Sequence, residues 1–109
     1  MINIKDFGKL DLRIGTILKA ELLEKAKKSA YLLEIDFGDL GIKKSSAQIT
    51  DLYKPSDLVG KQIVAVVNLS PKKIAGIASE VLVLGANNKD QAVVVLEPQK
   101  NIPNGAKIS

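Results

Sequence analysis

Leu12-Arg13-Ile14-Gly15-Thr16-Ile17-Leu18-Lys19-Ala20-Glu21-Leu22-Leu23 is the stretch that decides the fold. Leu12, Ile14, Thr16, Leu18, Ala20 and Leu22 alternate with Arg13, Gly15, Ile17, Lys19, Glu21 and Leu23, a period of two and therefore a long, half-buried β-strand. Gly15 predicts a bulge or a sharp bend, the kind of break that lets one strand serve two sides of a closed sheet. Lys19 to Lys28 is also rich in Ala, Leu, Glu and Lys, so a helix is the competing reading for the end of this strand.

Upstream, Asp6 to Leu10 reads as a short opening helix with Phe7 and Leu10 on one face. Downstream, Lys25 to Ser29 is a charged connection. Tyr31 to Phe37 alternates again, and Gly38-Asp39 supplies a turn. Gly41 to Thr50 gives a third, polar strand whose small residues admit the close approach of a ligand or another backbone. Tyr53 to Gly60, with Pro55 and a Ser56 cap, predicts a short helical turn. Ile63 to Val67 is a near-continuous apolar strand, expected to be buried on both faces. Glu80 to Ala86 and Gln91 to Leu96 predict a hairpin across Asn87 to Asp90. Glu97 to Ser109, holding Pro98, Pro103 and Gly105, reads as irregular with one short closing strand. Short strands, polar turns and little helix predict an all-β protein, residues 1–109 forming a single domain. A five-stranded OB-fold Greek-key barrel with a short N-terminal helix and a C-terminal extension fits best, because the first strand is long and broken. An SH3-like barrel or a sandwich has the same periodicity.

The composition removes whole classes of chemistry. There is no Cys and no His, so thiolate or imidazole metal sites, Ser-His and Cys-His nucleophiles and histidine acid-base work are excluded. No cofactor is expected. Without Cys, and with an N-terminus (Met1 to Asp6) lacking the basic and apolar regions of a signal peptide, a cytoplasmic location is expected. No apolar run approaches the ~20 residues that cross a bilayer, so no membrane insertion is expected. Catalysis is not expected either: Ser45 and Ser46 beside Lys43 and Lys44 suggest a Ser-Lys pair, but neighbours in a strand point to opposite faces. Sixteen Lys+Arg against 12 Asp+Glu give a net charge of +4, a mild bias toward polyanions. Arg13 is the one arginine among the 16 cations, which suggests a position needing a planar donor fork; a strand-end surface residue is the plainer alternative.

The loop Asn68-Leu69-Ser70-Pro71-Lys72-Lys73-Ile74-Ala75-Gly76-Ile77-Ala78-Ser79-Glu80 follows the apolar strand directly and is the best candidate binding site. Pro71 cannot continue a sheet ladder, Lys72 and Lys73 offer cationic donors, and Gly76 permits a turn, so a rigid barrel would present a shaped, cationic loop. Ile74, Ile77 and Leu82 add an apolar patch suited to short extended segments of an unfolded chain.

Three segments together resemble a known family: Asp11-Leu12-Arg13-Ile14-Gly15, then Tyr53-Lys54-Pro55 with Leu58-Val59-Gly60-Lys61, and the Asn68 to Glu80 loop. They are similar to the tRNA-binding domain found free-standing and as an appendage of some aminoacyl-tRNA synthetases. Ser45 to Thr50 and Ser79 to Gly85 are closest to its CsaA-like branch of secretion chaperones. The resemblance covers essentially the whole chain and implies an OB-fold homodimer. For the wider family it implies tRNA binding, and for the CsaA-like branch a cytosolic chaperone that holds unfolded preproteins for the export machinery. By position, Arg13, Asn68, Lys72, Lys73, Ser79 and Glu80 match the family's binding motif. Glu24 to Ala30 departs from the family's His-Pro-x-Ala-Asp-Lys-Leu-like stretch, and Ser79-Glu80-Val81-Leu82 from its Ser-Glu-Gly-Met. Lys73 stands where Arg is frequent, keeping charge but losing bidentate contact. These departures favour the chaperone branch, with tRNA as the alternative ligand. A dimer interface is expected from the N-terminal segment and the Glu97 to Ser109 tail, because Ile102 and Ile108 need burying.

Overall fold

The computed structural model describes residues 1–109. A one-turn helix α1 (Ile4–Phe7) precedes strand β1 (Leu12–Leu22). Asn3 caps it: its side-chain oxygen accepts from the Asp6 N–H, and the Asp6 carboxylate accepts from the Asn3 N–H. Next come β2 (Tyr31–Asp36), a 3-10 turn at Gly38–Leu40, and β3 (Ile42–Ala47). Helix α2 (Pro55–Leu58) leads into β4 (Gln62–Val66). A small hairpin of β5 (Lys72–Ile74) and β6 (Ile77–Ser79) follows, then β7 (Leu82–Val83) and a second hairpin of β8 (Gly85–Asn87) and β9 (Val93–Val95).

The main sheet is antiparallel in the order β3-β2-β1-β4-β7. It curls until β3 meets the chain between β6 and β7, where the Glu80 N–H donates to the Lys44 carbonyl at 2.8 Å. Side chains complete this closure: the Ser46 N–H donates to Ser79 Oγ, and Ser45 Oγ donates to the Val81 carbonyl, each at 2.9 Å. The result is a nearly closed five-stranded barrel of the OB type.

β1 holds this arrangement by changing partners. Residues 12–16 pair with β4, residues 16–22 with β2, and the register slips between Ile17 and Lys19. The bulge therefore lies at Leu18 and not at Gly15, which sits in regular pairing opposite Ile63. Because an inserted residue exchanges the two faces of a strand, one continuous alternation does not describe β1. The barrel interior receives Gly15 and Ile17 before the bulge and Ala20 after it, whereas Leu18 and Leu22 are exposed. Ile17 also exchanges backbone hydrogen bonds with the α2–β4 turn, donating to the Lys61 carbonyl and accepting from the Gly60 N–H. Strand pairing through Leu22 excludes the helical alternative for that segment.

Gly15 is there for space. A Cβ on it would lie 2.6 Å from Ile35 Cγ2 and 2.7 Å from the Phe37 ring, atoms of the main core. Leu33, Ile35, Phe37, Ile63 and Ala65 fill that core with no exposed surface, and Leu58 of α2 adds its fully buried side chain. The helix start is fixed by Pro55 at its first turn and by Asp57, whose carboxylate accepts from the Lys54 N–H; Ser56 does not cap it.

The predicted 80–86/91–96 hairpin is shorter than expected, because Leu82 and Val83 pair with β4 and leave only β8 to meet β9. The C-terminal tail lies along the first half of β1, where β2 does not reach. The Ile14 N–H donates to the Ala106 carbonyl, the Gly105 N–H to Ile14 and the Ile108 N–H to Leu12. Arg13 clamps the tail: Nη1 donates to the Gly105 carbonyl at 3.0 Å while Nε donates to the Asp11 carboxylate at 2.6 Å. Asn104 and Ile102 are held further along by Thr16 and Gln62.

Two outcomes follow from this packing. Gly15→Ala should overpack the core and lower the free energy of unfolding by about 1–3 kcal/mol, read as a lower urea midpoint at unchanged slope. Arg13→Ala should cost about 1–2 kcal/mol and accelerate amide exchange at Ile14, Gly105 and Ile108. Unchanged exchange at those three amides would show that the guanidinium does not hold the tail.

Candidate nucleic-acid and peptide interface

The loop after β4 is built by alternation. In β5, Lys72 and Ile74 share one face and Lys73 takes the other, since successive strand residues point oppositely. The hairpin tip is a two-residue turn in which Ala75 (φ 51°) and Gly76 (φ 81°) are both left-handed, the geometry that matches the twist of flanking strands. The consequence is that Lys72 and Lys73, adjacent in sequence, line two different clefts.

The first cleft, about 440 Å³, lies where the barrel seam opens between the end of β3 and the hairpin. Ile49, Leu69, Ile74, Val81, Leu82 and Val83 give it an apolar lining. Ser46, Gln48, Ser70, Lys72, Ser79 and Glu80 supply its polar groups. Leu82 is 49% exposed there, an apolar side chain left in water at the edge of a groove. The second, about 520 Å³, lies between the β1–β2 loop and the other face of the hairpin. Lys25, Lys27, Lys28 and Lys73 line it, and none of the four has a carboxylate within ion-pair distance. The two clefts share Ser46, Gln48 and Ile74 as a common wall.

Of the residues singled out in the sequence, Lys72, Ser79, Glu80, Ile74 and Leu82 meet in the first cleft, and Lys73 belongs to the second. Ile77 lines neither and packs across from Ile74 in the hairpin. Arg13 and Asn68 form a separate group around Asp11. Asn68 Oδ1 accepts from the Asp11 N–H at 2.9 Å, its Nδ2 donates to the Lys9 carbonyl at 2.8 Å, and Arg13 holds the Asp11 carboxylate. Both side chains bond within the protein, fastening the start of β1 to the end of β4 and to the tail.

Residues outside those expectations complete the clefts. Lys25, Lys27 and Lys28 were visible as a charged connection, but only the fold brings that loop against Lys73. Gln48 and Ile49 lie just past β3, which ends at Ala47 and is shorter than the expected Gly41 to Thr50 strand. No aromatic side chain lines either cleft. Phe37 and Tyr31 are buried, the Tyr31 hydroxyl donates to the Tyr53 carbonyl, and the Tyr53 hydroxyl accepts from the Val95 N–H.

Against known proteins, a family model described as a putative tRNA binding domain matches residues 12–107. A crystal structure of the chaperone CsaA from Bacillus anthracis superposes with a TM-score of 0.94 at 58% identity, covering 100% of this chain and 99% of that one. CsaA from Picrophilus torridus gives 0.93 at 50% identity, covering 100% of both chains. A MetRS-related protein from Pyrococcus horikoshii gives 0.90 at 30% identity, covering 100% of this chain and 98% of that one. The methionine–tRNA ligase of Parabacteroides distasonis is 39% identical over 98% of this chain, which spans only 16% of that enzyme's length. With the barrel, the loop and these matches agreeing over almost the whole sequence, the chain belongs to the tRNA-binding domain family.

Proposed function

We propose that this protein is a non-catalytic, cytoplasmic chaperone that holds unfolded preproteins for export, acting as a homodimer whose protomers are each one domain. The observation that carries this reading is the apolar cleft at the barrel seam, with Ile74 and Leu82 beside the unpaired Lys72. An apolar groove with a polar rim takes short hydrophobic segments that a folded protein would hide. The 58% identity to a CsaA chaperone over the whole chain supports it. A dimer would present two such clefts and raise avidity for a long client.

A second reading, tRNA binding, is favoured by the four lysines of the other cleft. Unpaired ammonium groups on facing walls attract phosphates, and loops joining OB strands are common sites for oligonucleotides. Since neither cleft offers a stacking platform, such binding would rest on charge and RNA shape. No helix is long and apolar enough to cross a membrane. At the N-terminus, Met1, Ile2 and Ile4 are exposed, whereas the tail is hydrogen-bonded to its own β1, so the proposed dimer contact centres on the N-terminal segment.

The two ligands separate by substitution. Leu82→Asp should weaken retention of an unfolded preprotein about tenfold while changing stability by less than ~0.5 kcal/mol and leaving labelled tRNA retention unchanged. Replacing Lys25, Lys27 and Lys28 together by Gln should do the reverse, lowering the slope of log K against log salt for tRNA by up to about 2. Lys72→Ala should follow the first pattern and Lys73→Ala the second. Failure of the native protein to retain either ligand would overturn both readings.

Sedimentation at micromolar concentration should give twice the chain mass, and Ile4→Asp should shift it toward the monomer. A native protein that sediments as one chain would remove the dimer.

A further inference from the structure

We infer that the apolar cleft receives its ligand by strand addition, so that the main chain of an extended peptide pairs with the free edge of β3 beyond Ala47. This rests on the peptide-holding reading and names how that site recognises its client.

Not every peptide group at the seam has a partner. An antiparallel strand aims the peptide groups of alternate residues at alternate edges. The Lys44 carbonyl accepts from Glu80 and the Ser46 N–H donates to Ser79 Oγ, so both face the seam, away from β2. Burial goes on alternating past the end of β3, with Ala47 and Ile49 buried and Gln48 exposed, as in continued extended chain. The same parity turns the Gln48 peptide groups toward the seam. Yet neither Gln48 nor Ile49 makes a backbone hydrogen bond within the protein, and no side chain bonds to their peptide groups. On the opposite wall, Leu69 and Ser70 also make no backbone hydrogen bond. Both pairs of residues line the apolar cleft.

An apolar groove bordered by unpaired peptide groups in strand register has the features of a β-augmentation site. Main-chain bonds supply affinity without regard to sequence, and every second side chain drops into the groove. That combination suits a protein that must hold many unrelated unfolded segments. It also gives the occupant a definite chemistry: an extended polypeptide with apolar residues at alternate positions. A helical segment has its main-chain groups engaged internally and an RNA has none, so neither can complete this edge.

The test uses an end-capped seven-residue peptide of alternating leucine and serine, and two variants N-methylated at the leucines or at the serines. At least one variant should bind about tenfold or more weakly than the parent, because methylation removes the donors aimed at one edge. Equal binding by all three peptides would overturn strand addition and leave peptide holding intact. No binding by the parent would overturn the holding reading beneath it. Amide exchange supplies the second measurement: the Gln48 N–H should slow at least tenfold when the parent peptide is bound, and an unaltered rate would also overturn the proposal. Gln48→Pro, which removes that donor at an exposed edge position, should lose the parent peptide. If that variant does not fold, the methylated peptides and the exchange rate decide the matter.

Discussion

The slip in register at Leu18 is the constraint on which the molecule rests. Strand β1 bonds to β4 along one edge and, along the other, first to the C-terminal tail and then to β2, and one extra residue part-way along changes which side chains face the barrel. The unpaired position coincides with the α2–β4 turn, whose Gly60 and Lys61 satisfy the Ile17 peptide groups. The slip also exchanges the faces of β1, so that Ile17 and then Ala20 point into the barrel. Gly15 lets the Phe37 ring and Ile35 fill the space beside the strand. Closing the sheet in this way brings the end of β3 toward the β5–β6 hairpin, and that approach creates the seam.

The proposed site lies at the seam, where closure is made partly by side chains. Ser45, Ser46 and Ser79 do what a continuous ladder does elsewhere, and serine is small enough to let the strands approach while supplying hydrogen bonds. Where the serines stop, the ladder stops and the cleft begins. The β5–β6 hairpin then divides two chemistries by strand alternation alone. Its Lys72 and Ile74 face belongs to an apolar groove, and Lys73 belongs to a groove of four unpaired lysines. One short hairpin therefore borders an apolar groove on one side and a cationic groove on the other.

Arg13 and Asn68, which match the family's motif by position, serve in this fold as structural fastenings. Both were legible as special positions, Arg13 as the sole arginine and Asn68 as the first polar residue after an apolar strand. A planar donor fork is needed at residue 13, and in the fold its targets are the Asp11 carboxylate and the Gly105 carbonyl. Asn68, able to donate and accept at once, bridges Lys9 and Asp11.

Much of the architecture was already present in the order of residues. Period-two alternation, the apolar run at Ile63 to Val67 and the glycine and proline punctuation define strands, turns and an all-β barrel, because these depend on neighbours a few positions apart. The Asn68 to Glu80 loop was legible as a candidate site for the same reason. What the sequence could not decide was phase and proximity. Whether the break in β1 falls at Gly15 or at Leu18 depends on which partner each half meets, and that is settled only when β4, β2 and the tail compete for its edges. Likewise, Lys25, Lys27 and Lys28 lie more than forty residues from Lys73 and become one groove only through closure of the barrel. Charge and hydrophobicity are properties of residues, whereas a cleft and a free strand edge are properties of surfaces that distant segments must meet to form.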